Sequence, residues 1–240
     1  MFRTTLRKSL VIAKLNLQNV NAAWIASAIV FGAIFLQNAA YVVLALCGFD
    51  MSYQSILGSA NFLYLLLLLC ALLIPTRNFR KQINLGAKRS DYCWGCLCTY
   101  VLLALGISLV NMLLFCAFEL PVLASGLVES SRLNLMDVWG WTTHGPVIAF
   151  IQQFAFLFLA AVFFHTLASL HDWWVGWGVD VLIIAIISVF TPIEPLRNVL
   201  YGFFQAILFH PNALLQIIVC LVLGGGLYAL NKLLLSRRVV

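Results

Sequence analysis

Residues 22–46 carry no charged side chain, and neither do residues 57–75 or 94–118. About 20 apolar residues, each rising ~1.5 Å along a helix, match the hydrocarbon thickness of a bilayer. Three further runs follow the pattern, each with a single ionisable group: 147–170 with His165, 177–190 with Asp180, and 213–235 with Lys232. In lipid, backbone N–H and C=O groups find no water, so a spanning segment is either a helix or a strand of a closed barrel. Barrel strands are about 10 residues long and alternate in polarity; these runs are longer and continuously apolar. The expected fold class is all-α, a polytopic membrane protein with six transmembrane helices in one domain over 1–240. Composition agrees, with 63% hydrophobic and 9% charged residues and a mean hydropathy of +1.02. A soluble globular chain has about 25% charged residues.

Basic residues orient such a bundle, because Lys and Arg collect on the cytoplasmic side. With both termini inside, the inner segments hold Arg3, Arg7, Lys8, Lys14, Arg77, Arg80, Lys81, Lys88, Arg89, Lys232, Arg237 and Arg238. Only Arg132 and Arg197 fall outside, so 12 of the 14 basic residues share one face. Asp50, Glu119, Glu129, Asp137 and Glu194 fall on the other. The net charge of +6 is therefore a topology signal rather than a nucleic-acid signal, helped by attraction to anionic headgroups. The expected location is the plasma membrane of a bacterial cell.

The first ~20 residues are too polar for the apolar core of a cleavable signal. Instead Phe2, Leu6, Leu10, Ala13, Leu17 and Val20 recur in steps of four or three, which predicts an amphipathic helix over 1–21 lying in the membrane interface. Between the second and third spans, residues 76–93 form a basic inner loop. The outer connections differ. Residues 47–56 make a short turn, and 119–144 a longer polar loop with Pro121, Trp139 and Trp141. Residues 198–209 are apolar but too short to span. Bracketed by Pro192, Pro195 and Pro211, they predict a re-entrant or interfacial outer helical hairpin before the last span.

Catalytic constellations are missing from the sequence. Cys93, Cys96 and Cys98 have no second pair with which to complete a four-ligand zinc site, and buried Cys in a helix commonly serves as a small apolar residue. Cys47 and Cys116 both fall near the outer face, where sequence alone does not decide pairing. No His-Glu-x-x-His, Gly-x-Ser-x-Gly or Gly-x-x-x-x-Gly-Lys-Ser/Thr motif occurs, so no metal ligand, catalytic residue or nucleotide loop is expected. His171 and Asp172 read as a tight inner turn flanked by the interfacial anchors Trp173, Trp174 and Trp177. Polar groups inside spans are costly and face other helices or water. Gln37, Asn38, Asn111, Gln152 and Gln153 are thus candidates for a translocation path or a dimer seam, or else for ties between helices. Asp180, with no acid or His beside it in sequence, is expected to make a helix-end or inter-helix contact.

The order of elements resembles the membrane subunit of a type-2 ATP-binding-cassette exporter. The sharpest match is Phe79-Arg-Lys-Gln-Ile-Asn-Leu-Gly-Ala-Lys-Arg-Ser-Asp-Tyr92. It looks like the family's inner-loop pattern of a Leu-Gly pair, a small residue, two basic or polar residues and an aromatic shortly before the third span. The resemblance implies that this loop is a coupling helix, with Arg80, Lys81, Asn84, Leu85, Gly86, Lys88 and Arg89 at or beside a cytoplasmic ATPase. It also implies two ATPase copies carrying the ATP and Mg, no cofactor in this chain, and a second permease copy, identical or not, facing it across spans one and five. Family members this compact resemble exporters of antimicrobial or cytolytic peptides or other amphipathic compounds. The cysteine-rich start of the third span and the long polar loop after it depart from the pattern and leave the substrate open. A rival from another class is a non-transporting immunity or sensor protein that binds a peptide at the outer face.

Overall fold

The computed structural model describes residues 2–50, 57–125, 134–171 and 174–237. Glu129, Arg132, Asp172, Trp173 and Arg238 lie outside the described residues, as do the side chains of Phe2, Arg3, Leu6 and Arg237. Among the described residues the chain is helical, with no β-strand. Eight helices matter here: α1 (Phe2–Gln18), α2 (Asn21–Leu46), α3 (Ser59–Asn84), α4 (Arg89–Ala124), α5 (Pro146–Leu170), α6 (Trp174–Phe190), α7 (Glu194–Phe209) and α8 (Ala213–Arg237). Helices α2, α3, α4, α5 and α8 are each long and apolar enough to cross a membrane. A sixth crossing arises only if α6 and α7, bent by 119° at their junction, count as one span.

Several boundaries move from those expected. Helix α3 runs past 75 to Asn84, so the first part of the basic loop continues the second apolar run. A π turn at Ile74–Asn78 takes up Pro75, a wider turn that tolerates a missing N–H without ending the helix. Helix α4 overruns 94–118 at both ends, and a second π turn at Phe115–Glu119 precedes Pro121. Glu119, expected to open the outer loop, lies instead inside this helix and is only 5% exposed. The polar loop is correspondingly shorter and carries small helical turns at Leu135–Val138 and Trp141–His144. Helix α6 starts at Trp174 rather than 177.

Helix α5 is the hub, packing against α8, α4 and α3. Small residues let these helices approach: Ala71, Ala104 and Ala161 are fully buried within one apolar cluster. At Gly224 of α8 an added Cβ would already sit 3.0 Å from the Phe158 ring. Helix α2 leans on α3, whereas α6 touches α5 and α7.

Helix α1 lies on the start of α4. Its buried face is Ser9, Ile12, Ala13, Asn16 and Val20, in helical register but turned from the predicted stripe, so that Leu10 is exposed and Leu17 half-buried. Two contacts set this rotation. A Cβ on Gly95 would lie 2.6 Å from Ile12 Cβ, so the missing side chain admits α1. Asn16, which an apolar stripe would leave outside, is drawn inward by hydrogen bonds to α3 and α4.

Candidate functional site

Arg80, Lys81, Lys88 and Arg89 crowd the junction of α3 and α4. There α3 ends at Asn84 and α4 begins at Arg89. Gly86 closes the helix with φ +86, a left-handed conformation that suits glycine. Its N–H donates to Ile83 O and that of Ala87 to Gln82 O, the paired bonds of a Schellman stop. Among the described residues, chain neighbours aside, no atom lies within 4 Å of where a Gly86 Cβ would be.

The turn is held from behind. Gln82 Nε2 donates to Asn16 Oδ1 at 2.7 Å and Asn78 Nδ2 donates to the same oxygen at 3.2 Å. Asn16 Nδ2 in turn faces Thr99 Oγ1 at 3.4 Å and Cys96 Sγ at 3.6 Å. One buried amide therefore ties α1 to both α3 and α4. Tyr92 OH donates to Ile74 O at 3.1 Å, and its ring meets Phe79 edge-on at 5.2 Å. On the other side of the turn, Arg80, Lys81, Asn84, Leu85, Gly86 and Lys88 are exposed and Arg89 is partly so. Lys81 Nζ donates to Asn19 Oδ1 at 3.0 Å. Leu85 is 76% exposed. A basic turn with an uncovered leucine at its tip is thus presented on a rigid base.

The intramembrane amides divide differently. Asn38 is buried and donates to Leu57 O at 2.7 Å, while Gln37 is exposed and bonds Tyr41 on its own helix. Asn111, Gln152 and Gln153 are all fully buried. Tyr64 OH receives Gln153 Nε2 at 2.6 Å and Asn111 Nδ2 at 3.2 Å, joining α3, α4 and α5. Asn134 Nδ2 reaches Asn111 Oδ1 at 3.4 Å and Glu119 Oε2 at 2.8 Å, which clamps the outer loop onto α4. Gln152 donates to Gln216 of α8, and Gln216 donates to Ile207 O of α7 at 2.8 Å. The tie to α7 is doubled by Trp141 Nε1, which donates to Leu208 O at 2.9 Å. Four of the five sequence candidates therefore sit between helices within one chain, and Gln37 faces outward.

One partnership escaped the sequence. Asp180, expected to make a helix-end or inter-helix contact, has His171 Nε2 at 2.7 Å from its Oδ2. His171 Nδ1 faces Leu167 O at 2.8 Å, with Trp177 edge-on at 5.6 Å. Both neighbours of the ring are acceptors, so both bonds form only when the imidazole is protonated. The Leu167 carbonyl is the largest influence and raises the His171 pKa; burial opposes it, and Asp180 raises it further. The signal was spatial rather than local: the pair is nine residues apart across the turn between α5 and α6, which closes tightly at Gly176, where a Cβ would meet Leu170 O at 2.6 Å.

Cys93 and Cys96 are buried, Cys98 is partly so, and Cys47 and Cys116 are free and exposed. Among the described residues no group of His, Cys, Asp and Glu is arranged to hold a metal ion. No protein-family profile, curated protein or solved structure matches this chain.

Proposed function

We propose that this chain is the membrane-spanning permease subunit of an ATP-driven exporter of the type-2 ATP-binding-cassette class, with the basic end in the cytoplasm and two copies of a separate ATPase docked there. The observation that carries the reading is the Gly86-stopped turn: cationic, rigidly backed by Asn16, and tipped by the uncovered Leu85. Such a tip fits a groove on a partner, with Leu85 as the apolar anchor and Arg80, Lys88 and Arg89 steering toward an acidic rim. ATP and Mg bind to the ATPase, whose closure moves the turn. Because α1, α3 and α4 share one amide network at their base, the turn passes that motion to the bundle as a unit.

A second copy of the permease completes the path, meeting this one along the exposed faces of α2 and α6, and amphipathic compounds such as membrane-active peptides leave through the seam. Gln37, the outward amide of α2, is the polar group best placed for it. A single permease copy in an active purified complex would exclude this arrangement.

Charge reversal at Arg80 and Lys88, or Leu85→Asp, tests the docking. All three side chains are exposed, so the fold and membrane insertion survive. ATPase co-purification and transport-coupled hydrolysis fall by 10-fold or more in Leu85→Asp, which puts a charge in place of the apolar anchor, whereas the rim charge reversals mainly slow association. Gly86→Leu also probes the shape but strains a positive-φ position, which makes Leu85→Asp the cleaner variant. Wild-type export by these variants would refute the docking role, and purification with no ATPase would favour the immunity or sensor reading.

A further inference from the structure

A groove of about 530 Å³ runs between α1 and the turn that follows α3. Val11, Ile12 and Leu15 of α1 form one wall, and Gln82, Leu85 and Ala87 the other. Arg7, Lys8 and Lys88 also line it, against Asp91 as the lone acid among the lining residues. We propose that this groove holds an anionic glycerophospholipid of the adjacent leaflet, its phosphate at Arg7 and Lys8 and an acyl chain along Val11 and Leu15.

The order of the chemistry favours an amphiphile. Lys8, Val11 and Leu15 fall on one face of α1, so a cation leads into an apolar track about 10 Å long at ~1.5 Å per residue. Val11 is 53% and Leu15 39% exposed, an arrangement that costs free energy in water and is relieved by a hydrocarbon chain. The location supplies the ligand. Helix α1 ends at Gln18 and the apolar α2 begins at Asn21, which holds α1 at the surface of whatever bilayer α2 crosses. Basic side chains there concentrate anionic lipid. The inference needs only that α1 lies along a membrane, and stands whether or not the chain is a transporter.

The test uses the full chain, purified in mild detergent and delipidated. It is titrated with dioleoylphosphatidylglycerol or dioleoylphosphatidylcholine while bound lipid is counted by native mass spectrometry. Wild type retains one phosphatidylglycerol in preference to phosphatidylcholine. Arg7→Gln with Lys8→Gln weakens retention roughly ten- to thirty-fold, the effect expected of two basic side chains on an anionic lipid. Val11→Trp, which keeps every charge and fills the groove, weakens it as well, with an unchanged melting curve because the site is exposed. Lys14→Gln removes a charge outside the groove and leaves retention as it was. Equal losses in the Lys14 and Arg7/Lys8 variants, or full retention by Val11→Trp, would mean diffuse surface attraction and overturn the site. So would competition by glycerol phosphate as effective as that of the intact lipid, or a bound protein partner covering Val11 and Leu15 with no lipid retained.

Discussion

Helices α2 and α5 are nearly equal in hydropathy, 2.1 against 2.3 over their most apolar windows, yet half of that window is buried in α5 and only 6% in α2. What separates them is the placement of polar and small residues. Helix α5 buries Gln152, Gln153, His165, Thr166 and Ser169 along with several alanines; Gln152, Gln153 and His165 bond side chains of other helices, whereas Thr166 and Ser169 bond carbonyls of α5 itself. Helix α2 buries only Ala23, Ser27 and Asn38, and α6 buries only Gly176. Lipid is as apolar as leucine, so apolarity itself does not drive helices together in a membrane; close packing and inter-helix hydrogen bonds do. The inner group of α3, α4, α5 and α8 is therefore knit by small residues and amides. Helices α2 and α6 present Ile25, Ile29, Val43, Val181, Ile184 and Ile187 outward.

The sharpest way to break this comparison is to fill glycines on both sides of it. Gly95→Leu collides with Ile12 and pushes α1 away from α4, costing about 1–3 kcal/mol as overpacking does, and more if the Asn16 network opens with it. At Gly32 in α2 an added Cβ meets no atom within 4 Å among the described residues beyond its own stretch of helix, and Gly32→Leu should change stability by less than about 0.5 kcal/mol. Reversible unfolding in detergent measures both, and similar losses would mean that α2 is as closely packed as the centre.

A smaller effect sharpens the same contrast. A double-mutant cycle on Tyr64→Phe and Gln153→Leu should give a coupling of about 0.6 kcal/mol, with ~1.7 as the upper end for such bonds. The cycle on Gln37 and Tyr41, both on the outlying α2, should give a coupling near zero, because solvent or headgroups replace that bond. Equal couplings would remove the distinction between inner and outer amides.

The smallest expected effect concerns how α6 is attached. The folded-state pKa of His171 is raised above its ordinary ~6.5, so the contribution of its protonated contacts is fully present below ~6.5 and fades as pH climbs through the folded value. Hydrogen exchange at the start of α6 should therefore quicken as pH rises, after correction for intrinsic rates. In Asp180→Asn the raised pKa should shrink and the pH step with it. A step unaltered in Asp180→Asn would leave the Leu167 carbonyl as the whole cause.

Much of the candidate site was legible in the sequence because its signals are local. Leu85-Gly86 followed by Lys88-Arg89 reads as a helix stop with a cationic turn, since backbone handedness and charge are properties of adjacent residues. The helical wheel of α1 offers an apolar stripe through Leu10 and Leu17, but Gly95, 79 positions from Asn16 in the chain, and the partners of Asn16 on α3 and α4 decide which face turns inward. Glu119 looked like a loop residue because carboxylates avoid lipid; Asn134, arriving from beyond the turn, gives it a partner inside.

By itself the sequence determined that the chain is helical, that it holds several segments fit to cross a bilayer, and where its basic residues collect along the chain. These follow from hydropathy, charge and backbone conformation, which are summed over neighbours. Only the tertiary structure decided that α5 is the hub, that α1 is locked by one amide, that His171 and Asp180 meet, and that α6 and α7 fold back at 119°. Those depend on which faces of distant helices fit one another, and a distance of 2.7 Å between His171 and Asp180 is a property of the packed bundle that neither residue carries alone.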